Sequence, residues 1–313
     1  MQRRSALPLT LFTLLLALLA LPLVSAACSD EDADVEDQAA TTAPAPTTAP
    51  APTATQIRLV ISRDYGATAL KDVLVEIGER TDVMRALTEN AEVESTDGFV
   101  SAVDGLESTD TAAWFYSVDG VLADIGAAEY TLDGGETVWW DLHRWDGAMF
   151  AGTAVHAFPA PWAGRSLPVT SDTDVVGLAE WAEAGGLELG ARQGLAAGPP
   201  DDGLVVCTAA EAWATSWLVD LLAAEAAASP VAVDDGVLSA LDMYGVPAAT
   251  GRAAVVALPN AADPERPLLL VLLADAGAAA EALELVTPAA LGGRHAVAVV
   301  DGGVVALPLQ AAP

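Results

Sequence analysis

The chain has 313 residues, 53% of them hydrophobic, with 13 Lys and Arg against 44 Asp and Glu and a formal net charge of −31. So acidic a surface repels phosphate backbones and anionic headgroups, which excludes nucleic acid and direct adsorption to anionic lipid. Its only cysteines are Cys28 and Cys207, too few for a disulfide framework.

Arg3 and Arg4 open the chain, an apolar leucine-rich run follows from Leu7 to Val24, and Ser25, Ala26 and Ala27 close it. Basic, apolar, then small is the order of a secretory signal peptide, here residues 1–27. A transmembrane helix is the alternative, since the run approaches the length of a span. The flank argues against it: the next charges are Asp30, Glu31, Asp32 and Asp34, where a cytoplasmic flank is positive. Ser25-Ala26-Ala27-Cys28 resembles a bacterial lipobox, which implies acylation of Cys28 and attachment to the outer face of a bacterial cell membrane through lipid. Val24-Ser25-Ala26 also fits ordinary signal peptidase, which would leave a secreted protein.

Residues 28–55 read as an acidic and then Thr/Ala/Pro-rich linker in which Thr-Thr-Ala-Pro-Ala-Pro occurs twice. Its Ala39–Thr55 part has no large apolar side chain and cannot bury a core, and its prolines hold it extended as a disordered spacer. The remainder is long enough to divide, and the composition shifts near Asp146-Gly147, giving expected domains at 56–147 and 148–313.

In the first, Gln56–Arg63 alternates polar and apolar residues, as a half-buried strand does. Asp64-Tyr65-Gly66 is a turn signal, and Asp72–Ile77 a second strand. Thr81 or Asp82 caps a helix through Val83, Met84, Leu87 and Ala91. Ala112–Val118 is a strand closed by Asp119-Gly120, and Asp133-Gly134-Gly135 opens a last strand, Glu136–Trp145. In the second, Leu204–Cys207, Ala253–Leu258, Leu268–Leu273 and Ala296–Val300 are unbroken apolar runs, as in strands buried on both faces. Cys207 lies in such a run and reads as a buried small hydrophobe. Ala209–Ala228 spaces Trp213, Trp217, Leu218, Leu221 and Leu222 along one helical face, and Ala276–Leu285 is a shorter helix. The expected fold is an α+β β-grasp-like domain followed by an α/β layered domain, after a signal peptide and disordered linker.

Trp114-Phe115-Tyr116-Ser117-Val118-Asp119-Gly120, then Gly126, Tyr130 and Leu132-Asp133-Gly134-Gly135-Glu136-Thr137-Val138-Trp139-Trp140, resemble the transcobalamin C-terminal-like domain family. That family pairs an aromatic strand ending Val-Asn-Gly with a Gly…Tyr segment and a Leu-x-Asp-Gly-Asp turn before a final strand. Here Asp119 replaces the asparagine and Gly135-Glu136 closes the turn, changes that keep the turn chemistry. The resemblance covers about Gln56–Trp145. It implies a β-grasp-like, non-catalytic, ligand-binding module. The expected function is capture of cobalamin or another small molecule and its delivery to a membrane transporter, with no cofactor required. The second domain resembles nothing recognised.

The binding candidates are Trp114, Phe115, Tyr116, Tyr130, Trp139 and Trp140. Alternation along two strands sends all of these but Tyr130 to both faces, so part of the set is available to stack on a flat ligand. The competing reading packs them into the sheet. His143, His156 and His295 lack metal-ligand spacing and read as structural. Asp201-Asp202 and Asp234-Asp235 read as turn residues. No nucleophile elbow, phosphate-binding loop or His-Glu-x-x-His is present, so an enzyme is not expected. The alternative function is a cell-surface module that meets a protein or glycan in an adhesin-like or structural role, docking through a sheet edge.

Overall fold

The computed structural model describes residues 51–146, 152–224, 229–260, 262–263 and 265–310. The expected signal peptide, Cys28 and most of the linker lie outside the described residues, as does the start of the second expected domain.

Strand β1 (Gln56–Arg63) pairs antiparallel with β2 (Thr68–Glu76) across a turn whose Asp64, Tyr65 and Gly66 all have positive φ. Helix α1 (Val83–Thr88) is capped by Asp82, whose carboxylate accepts the Arg85 N–H at 2.7 Å. A small sheet of β3 (Val93–Thr96), β4 (Phe99–Val103) and β5 (Leu106–Glu107) follows. Then β6 (Ala112–Val118) turns through Asp119-Gly120, both at positive φ, into the two-residue β7 (Val121–Leu122). The last strand, β8 (Thr137–Arg144), inserts between β1 and β6, parallel to the first and antiparallel to the second. The sheet order is β2-β1-β8-β6-β7. A hairpin, a covering helix and a final strand set parallel beside the first form the expected β-grasp-like arrangement.

The linker ends earlier than its composition implies. Thr55 C=O accepts the Ile77 N–H at 2.9 Å, and Thr53 C=O accepts the Gln56 N–H, so residues 53–55 already belong to the fold.

The second half builds a seven-stranded sheet from β9 (Ser166–Thr170), β10 (Glu188–Gln193), β11 (Leu204–Thr208), β15 (Ala253–Leu258), β16 (Leu268–Leu273), β17 (Ala296–Val300) and β18 (Gly303–Leu307). Their order is β10-β9-β11-β16-β15-β17-β18. The four strands from β10 to β16 run parallel to one another, and the other three pair antiparallel. Helices α2 (Leu178–Ala184), α5 (Ala279–Leu285) and α6 (Pro288–Leu291) cover one face around Trp162, Trp181 and Leu283. Helices α3 (Ala209–Ala214) and α4 (Ser216–Ala224) cover the other. With them packs a small sheet of β12 (Val231–Asp234), β13 (Val237–Leu241) and β14 (Pro247–Thr250). All four apolar runs singled out in the sequence are strands, and β15 and β16 are buried at every position.

The single helix expected over Ala209–Ala228 is instead two. A Thr208–Glu211 capping box starts α3, and Thr215 (φ −105°, ψ 104°) ends it while its hydroxyl donates to the Glu211 carbonyl at 2.7 Å. The break takes Trp213 off the common face: it is 45% exposed, whereas Leu218 and Leu222 are buried.

The two halves meet backbone to backbone. A side chain at Gly66 would begin 2.1 Å from Gly293 O, and one at Gly120 would begin 2.6 Å from Ala154 O. His295 N–H donates to Tyr65 C=O (3.1 Å), Ala154 N–H to Gly120 C=O (2.8 Å) and Leu122 N–H to Gly152 C=O (3.0 Å). The alternation of β1 therefore does not leave a solvent face. Ile57, Leu59 and Ile61 face α1, while Val60 and Ser62 are buried against the second half.

Candidate functional site

Beside this seam lies an open cleft of about 770 Å³. Helix α4 presents Trp217, Asp220 and Leu221, spaced three and four apart on one helical face. The Trp217 indole N–H donates to Leu195 C=O at 2.9 Å, which fixes the ring. Pro199 and Pro200 line the cleft ahead of β11, and Pro259 and Asn260 follow β15. Asn260 ties the rim together. Its amide donates to the carbonyls of Asp201 (2.6 Å) and Arg266 (3.0 Å), and its Oδ1 accepts the Ala262 N–H (2.9 Å). The first half contributes Val121, which bridges to Thr153, and the Thr153 hydroxyl is held by Ala257 C=O at 2.9 Å. The volume lies in the range of small-molecule sites, and apolar walls with a few placed polar groups are their usual chemistry.

A hollow of about 360 Å³ adjoins it, lined by Asp119, Val121, Asp124, Tyr130 and Glu265 among others. Asp119 sits in the β6–β7 turn, and its carboxylate accepts the Thr137 N–H at 2.8 Å. Burial nonetheless pushes its pKa up to about 6, with that N–H opposing and Glu136 adding to the rise. Burial also raises the Tyr130 phenol, helped by the charges of Asp119, Glu136 and Glu265.

Of the six aromatic residues singled out in the sequence, Tyr130 alone lines one of these two cavities. Trp114, Tyr116 and Trp140 are buried in the core against α1. The Trp114 indole donates to Leu106 C=O (3.1 Å) and the Tyr116 hydroxyl to Ile125 C=O (2.7 Å). Trp139 lies buried in the seam, donating to Ser62 Oγ at 2.7 Å with its ring 4.8 Å from that of His156. Phe115, half-buried, stacks on His143 at 4.5 Å. Strands β6 and β8 are interior strands of a sheet covered on both sides, so alternation did not expose half of the set. The sequence places Trp217 only along one face of a helix. No local signal marks it as a cleft wall, because the other walls come from distant segments.

The seam holds a buried polar knot. Asp141 accepts from Ser62 Oγ (2.5 Å), Tyr65 N–H (2.8 Å), Gly66 N–H (3.1 Å) and His143 Nδ1 (2.9 Å). The His143 ring is sandwiched between Tyr65 and Phe115. His156 Nε2 accepts from the Ser117 hydroxyl (2.9 Å) and the Gly120 N–H (3.1 Å), the pattern of a neutral imidazole. Burial drives the pKa of His156 well below its ordinary value and that of His295 down to about 3. The three histidines thus share the seam although they are far apart in sequence. Among the described residues, no three His, Cys, Asp or Glu side chains converge as a metal site. No helix among them is long and apolar enough to cross a membrane. Cys207 is buried and unpaired in β11, its thiol pushed up to about 12 by burial.

Three comparisons bear on this geometry. A family described as a domain of unknown function (DUF4430) matches residues 81–144, from the start of α1 to the end of β8. A solved structure from Ruminococcus gnavus, described as a candidate metal-binding protein, is similar at 18% identity with a TM-score of 0.24. That similarity covers 29% of this chain and 97% of the other. No curated protein matches.

Proposed function

We propose that this chain is an exported, lipid-anchored binding protein that captures a small molecule in the cleft at its seam. The observation that carries the reading is the cleft itself: about 770 Å³, apolar-walled, with Val121 from one half and Trp217, Leu221 and the prolines from the other. A binding role rather than catalysis fits the same geometry, since Ser62, Asp141 and His143 are sealed in the seam. Corrinoids are the first ligands to test, as the resemblance of Gln56–Trp145 implies, and a membrane transporter is the natural recipient of a captured molecule. The anchor is the thioether-linked lipid on Cys28.

Titration of the mature chain with cobalamin and smaller flat molecules, followed by intrinsic fluorescence, tests the capture. The Trp217 signal is expected to change with saturation, and Leu221→Asp to abolish the response. A flat titration across the panel sinks the reading. Palmitate labelling tests the anchor: label is expected on the wild type and lost in Cys28→Ser. Phe99, 80% exposed at the β3–β4 tip, favours the second reading, a surface that meets another protein or glycan. That reading predicts a cell-surface partner whose binding is lost on Phe99→Ser and kept on Leu221→Asp.

A further inference from the structure

The cleft and the acidic hollow are continuous at Val121, which lines both. Asp201 and Asp220 lie in the first, and Asp119, Asp124 and Glu265 in the second, while among the described residues no Lys, Arg or His lines either. None of these five carboxylates makes an ion pair among the described residues. The nearby guanidinium groups are committed elsewhere, Arg165 to Asp202 and Arg266 to Asp202 and Asp263. Low-dielectric walls focus such a field, so the combined cavity attracts positive charge and repels phosphate or carboxylate. The acids are strung along the cavity rather than gathered at metal-ligand spacing. The wall between them is apolar: Trp217, Leu221 and the prolines. A bare ion leaves that wall unused, whereas a molecule with a greasy body and a charged end uses both parts.

We propose that the ligand is an organic cation, its apolar or ring-bearing body against Trp217 and Leu221 and its ammonium or guanidinium group in the hollow beside Tyr130, Asp124 and Glu265. The half-buried Tyr130 ring adds a cation–π surface to the carboxylates. This rests on the binding reading above and adds the chemical class.

Calorimetric titration of the mature chain with three molecules sharing one body separates the two claims: 2-phenylethylammonium, 2-phenylethanol and 3-phenylpropanoate, with calcium chloride alongside. The ammonium is expected to bind about tenfold or more tightly than the alcohol, the carboxylate not at all, and added salt to weaken the ammonium alone. Glu265→Gln with Asp124→Asn, both exposed side chains, is expected to reduce the ammonium to the affinity of the alcohol without moving the unfolding midpoint. If the alcohol or carboxylate binds as well as the ammonium, the cation class is wrong and the small-molecule reading stands. A preference that survives the double substitution overturns the placement of the charge. Calcium binding that displaces the ammonium overturns the organic class. Silence from every probe overturns the proposal, and the fluorescence panel then decides separately whether the cleft binds anything.

Discussion

The two faces of the first sheet are covered in opposite ways. Toward α1 the contacts are apolar: Ile57, Leu59, Ile61, Trp114, Val138 and Trp140 close on Val83, Ala86 and Leu87. Toward the second half the sheet offers Ser62, Ser117, Asp141 and His143, with Val60 and Trp139 as its apolar part. Burial of large side chains supplies stability on the first face, at about 1.5–3 kcal/mol for each fully buried one. On the second face, hydrogen bonds with defined directions fix how the halves meet, and each is costly to leave unmade.

The largest break belongs to the apolar face. Trp140→Ala, at a residue only 3% exposed, is expected to cost about 3–5 kcal/mol in urea unfolding, while Trp140→Phe costs much less. An equal loss for both would mean that the indole, not the volume, matters there. Next comes the seam. Asp141→Ala strands two backbone N–H groups, Ser62 and His143 at a site 1% exposed. It is expected to cost about 2–3 kcal/mol and to perturb the near-ultraviolet signal of Trp139. A silent substitution would show that the knot contributes nothing.

Acid should discriminate between the faces without any substitution. His156 and His295 take up a proton near pH 6.5 when unfolded, but in the fold burial prevents this until far lower, about pH 3 for His295. The unfolded state therefore binds more protons, so the stability present above pH 6.5 falls as the pH drops from 6.5 toward 3. His295→Gln is expected to flatten part of that slope in urea midpoints measured from pH 7.5 to 4.5, and an unchanged slope would count against it. The smallest effect has the opposite sign. Asp119 has a folded pKa raised to about 6, so its charge opposes folding above that value and the penalty disappears as the pH falls toward 4. Asp119→Asn keeps an acceptor for the Thr137 N–H and is expected to stabilise by about 1 kcal/mol at pH 7.5, after allowance for solvent screening, with no gain at pH 4. Destabilisation at pH 7.5 would refute it.

Local patterns foretold the elements that depend on local chemistry. Asp82 caps α1, Asp119-Gly120 makes the β6–β7 turn, and the four apolar runs of the second half are strands. What escaped the sequence either left no clear periodic signal or depends on contacts between distant residues. Strand β3 is mostly exposed, and β4 exposes Phe99 while burying Val100, Ala102 and Val103, so polarity does not mark its buried face. Thr215 breaks a helix whose apolar spacing runs on unbroken. The cleft escaped because Val121, Pro199, Trp217 and Pro259 share no motif and meet only after folding. Aromatic density on β6 and β8 does not mark an exposed surface, because a second half covers the face that alternation would have left open.

The glycine contacts at the seam bear on the speed of the proposed capture. Main chain presses on main chain at Gly66 and Gly120 with no room for a side chain between, so the halves have little freedom to rock. A keyhole held this stiffly is cut before the key arrives. On the proposed reading, entry needs no closing motion, little ordering entropy is lost on capture, and the arrival rate is set by diffusion and by the electric field at the mouth.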